Sequence, residues 1–206
     1  VLSGSFAFAP VVPTIDAADQ AYLTGILQRG AAAGNRLNVV AKIGDSITFA
    51  PEYLAPLGKP TLPNLGEHGD LLDTLAFFRA QTIGQENSFT RRGVAALGGY
   101  TSNDILQRIQ AEIVLTRPAF ALVMVGTNDV VAVTPPEVFR SRLTQTVQIA
   151  VGVGVVPVLS TIPDIFLTGS LQAAQPQYNQ VIAEVAEATN VPLWNYWRAL
   201  QGLPAN

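Results

Sequence analysis

Three short polar clusters in this 206-residue chain carry groups suited to acyl transfer. In Gly44-Asp45-Ser46-Ile47-Thr48 the serine sits in a sharp turn between an apolar run and a helical start. A turn of that kind exposes the hydroxyl, and the serine's own N–H, near a helix N-terminus, can donate to a developing negative charge. Taken alone, the same residues also read as an Asp-Ser helix cap. Gly126-Thr127-Asn128-Asp129 follows another apolar run and presents an amide side chain. Such a donor to an oxyanion is worth about 3 kcal/mol in enzymes from which it was removed, although Asn and Asp also favour plain turns. In Gly98-Gly99-Tyr100-Thr101-Ser102 the glycine allows close backbone approach and offers a further N–H. The plainer reading there is a flexible pair before a helix cap.

The elements that must position these clusters follow an alternating pattern. Thr14 is placed to cap a helix over Asp16 to Arg29, with Gly30 as its stop. Leu37 to Ile43 reads as a buried strand, and the proline- and glycine-rich stretch from Ala50 to Gly69 as a long loop. A helix over Leu71 to Ala80 and a short strand over Gly93 to Leu97 come next. Ile105, Leu106, Ile109 and Ile113 recur at helical spacing behind Thr101 or Ser102, and Pro118 ends that pattern. Ala119 to Val125 is an apolar strand, and the prolines at 135 and 136 open a helix marked by Phe139, Leu143 and Val147. Val155 to Ile162 is a buried strand, Tyr178 to Thr189 an amphipathic stripe, and Val191 to Tyr196 the last strand. Continuous apolar strands between amphipathic helices predict an α/β domain whose parallel sheet is covered on both faces. Ligands bind such sheets at the carboxyl ends of the strands, where the clusters at 44–46 and 126–129 fall.

All three clusters occur in order at the ends of successive expected strands. In sequence and spacing they resemble the blocks of the SGNH hydrolase family (GDSL-like esterases and lipases), named for one Ser, Gly, Asn and His. Gly44-Asp45-Ser46 is similar to its nucleophile block, Gly99-Tyr100-Thr101 to its glycine block and Gly126-Thr127-Asn128-Asp129 to its asparagine block. The likeness runs from Leu37 to about Trp197. It implies a three-layer α/β/α sandwich with a mostly parallel, flavodoxin-like, five-stranded sheet, and ester cleavage without metal or organic cofactor. Ser46 would be the nucleophile, and the oxyanion would sit between the Ser46 and Gly99 N–H groups and the Asn128 amide. Asp45 and Asp129 are expected as structural carboxylates.

A serine hydroxyl needs a base to accept its proton. The family supplies it from a C-terminal Asp-x-x-His block, which is not among these residues. The sole histidine, His68, falls in the loop between the first two blocks, beside Glu67 and Asp70, and reads as a solvated loop residue. The base is therefore expected on a segment beyond Asn206, either detached or retained as the chain's own cleaved peptide. The contrasting reading is a catalytically inactive binding module on the same fold, for which carbohydrate is the candidate ligand.

Composition narrows the partners. Apolar residues make up 49% and charged ones 13%, the balance of a chain with a core rather than a disordered one. A net charge of −3 gives no electrostatic reason to bind nucleic acid. The longest apolar run, Ile149 to Leu159, has 11 residues, short of the roughly 20 that a membrane-spanning helix needs. No cysteine and one histidine make a poor zinc site. The expectation is one domain over 1–206 with an apolar N-terminal arm over 1–13, acting on a small-molecule or carbohydrate ester outside the cytoplasm. Phe49, Tyr53, Trp194, Tyr196 and Trp197 are candidates for lining a sugar site or, more plainly, for the core. The loop from Ala50 to Gly69 is the candidate lid.

Overall fold

The structure is a computed structural model that describes residues 5–164 and 169–203. The first four residues of the arm and the last three of the chain, Pro204 included, lie outside the described residues. Four strands, β1 (Arg36–Gly44), β4 (Pro118–Met124), β5 (Val156–Ser160) and β6 (Leu193–Trp194), form a parallel sheet in the order β1-β4-β5-β6. A separate two-stranded hairpin pairs β2 (Thr82–Ile83) with β3 (Glu86–Asn87).

The expected strand over Gly93 to Leu97 is reduced to one parallel bridge, Ala96 beside Gly44 on the outer edge of β1. Its backbone groups are spoken for elsewhere. The N–H of Val94 donates to the Glu112 carboxylate at 2.7 Å, and only Gly44 N–H to Ala95 O and Leu97 N–H to Gly44 O remain as ladder bonds. Glu112, buried in the following helix, is held by Arg91. Counting that bridged segment as a vestigial strand gives the chain order 2-1-3-4-5, which is flavodoxin-like.

Helices cover both faces. α4 (Ser102–Thr116), α6 (Pro136–Gly152) and α7 (Ser170–Ala188) pack side by side, and their Ile105, Ile109, Phe139, Leu143 and Ile182 join Ala121 and Val123 in the main core. Side chains alternate between the faces of a strand, so Phe120 points the other way. There it meets Phe78 of α3 (Leu72–Arg79) edge-on, with ring centres 5.9 Å apart, and α1 (Ala17–Ala32) packs on β1, β4 and β5. The result is the three-layer α/β/α sandwich.

Two details at the start of the chain differ from expectation. Asp16, not Thr14, caps α1: its carboxylate accepts from the N–H groups of Ala18 and Asp19, both at 2.8 Å, and Asp19 completes the capping box. Gly30 does not stop α1 but packs inside it, because a Cβ there would come within 2.0 Å of the Gly154 carbonyl oxygen. The described part of the N-terminal arm is tied down rather than loose. Buried Asn195 donates both Nδ2 hydrogens to it, to Phe6 O at 2.8 Å and Ala9 O at 2.9 Å, while its own N–H reaches Val11 O at 3.0 Å. Strand β6 stops at Trp194 because the Asn195 side chain then caps α8 (Tyr196–Leu200) by accepting from Arg198 N–H.

Candidate active site

Strand β1 ends in the Ser46 turn because Gly44 lets β1 and β4 close up. A Cβ at Gly44 would lie 2.1 Å from the Met124 carbonyl oxygen, its cross-strand partner. Asp45 then caps a one-turn helix, α2 (Ser46–Phe49), with Oδ1 accepting from Ile47 N–H at 3.1 Å. Ser46 itself is exposed.

The glycine cluster lies directly beside it. A Cβ built on Gly98 would meet the Ser46 Cβ at 3.9 Å. Leu97 N–H donates to Gly44 O at 3.3 Å, and Tyr100 N–H closes the turn onto Leu97 O at 3.2 Å. Gly99, at the apex, has φ +85°, a left-handed conformation that glycine adopts without strain, and nothing lies within 4 Å of where its Cβ would be. Its surroundings are therefore open to a ligand.

The asparagine cluster is stitched to the same turn. Asn128 lies in α5 (Thr127–Val131), which starts just past the end of β4, and donates from Nδ2 to Tyr100 O at 3.0 Å. A side-chain amide carries two N–H donors, so one hydrogen remains beyond that bond. Asp129 is fully buried and accepts from Ser102 N–H at 2.8 Å and from Ser102 Oγ at 2.6 Å, which fixes the start of α4 against α5. Ser46, Gly99 and Asn128 thus share one edge of the sheet, joined through Gly44, Leu97 and Tyr100.

The two carboxylates behave as structural groups. Burial pushes the Asp45 carboxyl up to about 6, with the neighbouring Asp129 adding to the rise and the Ile47 N–H and the nearby Thr127 hydroxyl opposing it. Burial likewise raises Asp129, against the Ser102 donors that hold it down. Between the ordinary value of 3.8 and about 6, folded Asp45 keeps a proton that the unfolded chain releases. Its contribution to stability is fully present below that window and is lost as pH rises through about 6. Asp45→Asn should therefore flatten the fall in stability between acid and neutral pH, by about 3 kcal/mol if the whole shift is realised. Urea unfolding at several pH values checks this, and an unchanged pH slope would refute it.

The remaining sequence candidates do not join the cluster. His68 is exposed at the start of a short turn over Gly69–Leu71, and its hydrogen bonds among those described are backbone ones. The aromatic candidates pack on one another: Tyr53 against Trp194 at 6.4 Å, Trp194 against Tyr196 at 5.0 Å and Trp197 edge-on to Phe6 at 5.2 Å. Tyr53 is buried, so the first part of the loop over 50–69 is anchored to the fold, whereas most of residues 59–69 is exposed. Phe49 lies under the Arg92 guanidinium, 4.6 Å from its ring centre. Sequence reasoning missed the Tyr100 carbonyl and the Ser102 side chain as the pieces that lock the clusters together. A capping serine spaced ahead of a buried Asp was the available signal.

With this arrangement in place, comparison with known proteins is decisive. The profile of the GDSL-like Lipase/Acylhydrolase family matches residues 43–206, which contain all three clusters. The chain belongs to this family. Among solved structures, this GDSL-like chain is similar to the lipase/acylhydrolase from Enterococcus faecalis, with 22% identity and a TM-score of 0.56 over 80% of this chain and 79% of that one. It is also similar to an acetylxylan esterase from Geobacillus stearothermophilus, with 19% identity and a TM-score of 0.52 over 80% of each. At these identities the likeness is one of fold. The lipoprotein YqeF of Bacillus subtilis is 29% identical over 130 residues, 50% of this chain and 54% of that protein. The chain thus spans about half the length of this curated relative.

Proposed function

We propose that the protein is a serine ester hydrolase that cleaves acyl or acetyl esters through an acyl-enzyme. The observation that carries this reading is the convergence of exposed Ser46, the Gly98-Gly99 turn packed beside it and Asn128 tied to that turn through Tyr100 O. Ser46 Oγ adds to the ester carbonyl. The oxygen, now negative, is held by the Ser46 and Gly99 N–H groups and the remaining Asn128 hydrogen. Collapse expels the alcohol, and water releases the acid from the serine. Membership of a lipase/acylhydrolase family supports this chemistry.

The Ser46 proton must pass to a general base, and His68 does not supply one from its exposed place on the loop. A carbohydrate ester stands among the candidate substrates, a class that the same fold handles in the acetylxylan esterase. The lipoprotein relative supports a site of action outside the cytoplasm, and among the described residues no helix is long and apolar enough to cross a membrane.

A fluorophosphonate probe on the full-length protein tests the proposal: label is expected on Ser46. With a chromogenic acetyl ester, turnover is expected to persist in EDTA, since serine chemistry of this kind asks nothing of a metal. Activity lost to the chelator and restored by a metal would refute the mechanism. Absence of both label and turnover would favour the binding-module reading instead.

A further inference from the structure

The Ser46 turn and the Asn128 turn are adjacent, since Gly44 pairs with Met124 where β1 and β4 end. Each functional residue is preceded by a buried polar group without an established partner: Asp45 Oδ2 before Ser46, and Thr127 Oγ1 before Asn128. Asp45 is fully buried, with its other oxygen already taken by Ile47 N–H. Thr127 presents its hydroxyl to this carboxyl, although not within the tight geometry of a formed hydrogen bond. Buried polar atoms are rarely left unpaired, and such an orphan calls for an explanation. Two buried orphans therefore flank the gap between nucleophile and oxyanion donor, on turns that leave paired strand ends.

We propose that Asp45 and Thr127 form a clasp that sets the distance between Ser46 and Asn128, making Thr127 a positioning residue for the reaction. This rests on the ester-hydrolase reading above. The clasp is strongest on the ionised Asp45, to which the Thr127 hydroxyl donates a charge-assisted hydrogen bond. A small rotation of either side chain completes it, between two turns that leave the paired residues Gly44 and Met124. Other ionisable groups facing the carboxyl are Asp129 from α5 and Tyr53 from the loop after α2. Neither supplies the missing link: Asp129 already accepts two hydrogen bonds from Ser102, and Tyr53 leaves Asp45 Oδ2 without a partner. Thr48 Oγ1 is a third buried orphan, but it belongs to α2, on the Ser46 side of the gap, and lies beside Gly44.

The test is Thr127→Val, close in shape but without the hydroxyl, in the full-length protein. Turnover should fall about tenfold or more, since small misplacements of reacting groups are costly, while KM changes little. The low-pH limb of kcat/KM should move upward, because a donor that favours the ionised Asp45 is gone. Thr127→Ser should restore both. Wild-type turnover with an unmoved limb would overturn the clasp, and so would a lowered melting temperature with kcat unchanged. If the wild-type protein neither turns over esters nor labels Ser46, the ester-hydrolase reading fails separately. The clasp is then read by ¹³C NMR titration of the Asp45 carboxyl, which Thr127→Val must shift upward or the clasp is refuted.

Discussion

Ser46→Ala in the full-length protein is expected to reduce ester turnover by several orders of magnitude and to abolish fluorophosphonate labelling, with the fold unchanged. The size follows from chemistry: no other group in the site can form the covalent acyl intermediate, so only binding and oxyanion stabilisation would remain. The harmlessness to folding follows from position. Ser46 is exposed, and α2 is capped by Asp45 through Ile47 N–H rather than by the serine itself. A surface substitution clear of a cap usually shifts stability by no more than about 0.5 kcal/mol. Intact-mass measurement of the labelled protein, with thermal melting beside it, separates the two effects. Label on another serine, or undiminished turnover, would remove Ser46 from the mechanism.

The parts of this structure that were legible in the sequence are those set by period and punctuation. Apolar runs ending in Gly-bearing clusters gave β1 and β4, whose clusters carry Ser46 and Asn128, and the apolar run after Gly154 gave β5. Where the sequence misled, a side chain had displaced a backbone partner. Glu112 takes the N–H of Val94 and leaves the segment before the glycine cluster as a single bridge at Ala96. Nothing within residues 93–97 announces a carboxylate that arrives from α4. Asn195 likewise ends β6 early and binds the arm across almost the whole chain length, through Phe6 O and Ala9 O. The same limit hid the link between clusters. Tyr100 was legible only as the residue after a glycine, yet its carbonyl oxygen orients Asn128. Long-range side-chain-to-backbone bonds leave no periodic trace, so local reading finds the reactive residues more readily than what aligns them.

That alignment gives Asn128→Ala its expected signature. Removing the amide should lower kcat by about 10²–10³-fold with a much smaller change in KM, as loss of an oxyanion donor does. One Nδ2 hydrogen is spent on Tyr100 O, which holds the side chain in one orientation before substrate arrives. The other is then pre-aimed at a charge that exists only after Ser46 attacks, so it stabilises the transition state more than the bound ester. Truncation removes that donor and also frees Tyr100 O, which loosens the Gly99 turn carrying a second donor. Asn128→Asp distinguishes the two contributions. A carboxylate keeps the size of the side chain but, when ionised, offers neither hydrogen and repels the oxyanion, so it should be at least as damaging as alanine above neutral pH. Steady-state kinetics on one soluble acetyl ester, compared across the two variants, checks both outcomes. An unchanged kcat with a raised KM in Asn128→Ala would make Asn128 a residue that positions substrate and would leave the oxyanion to the two backbone donors.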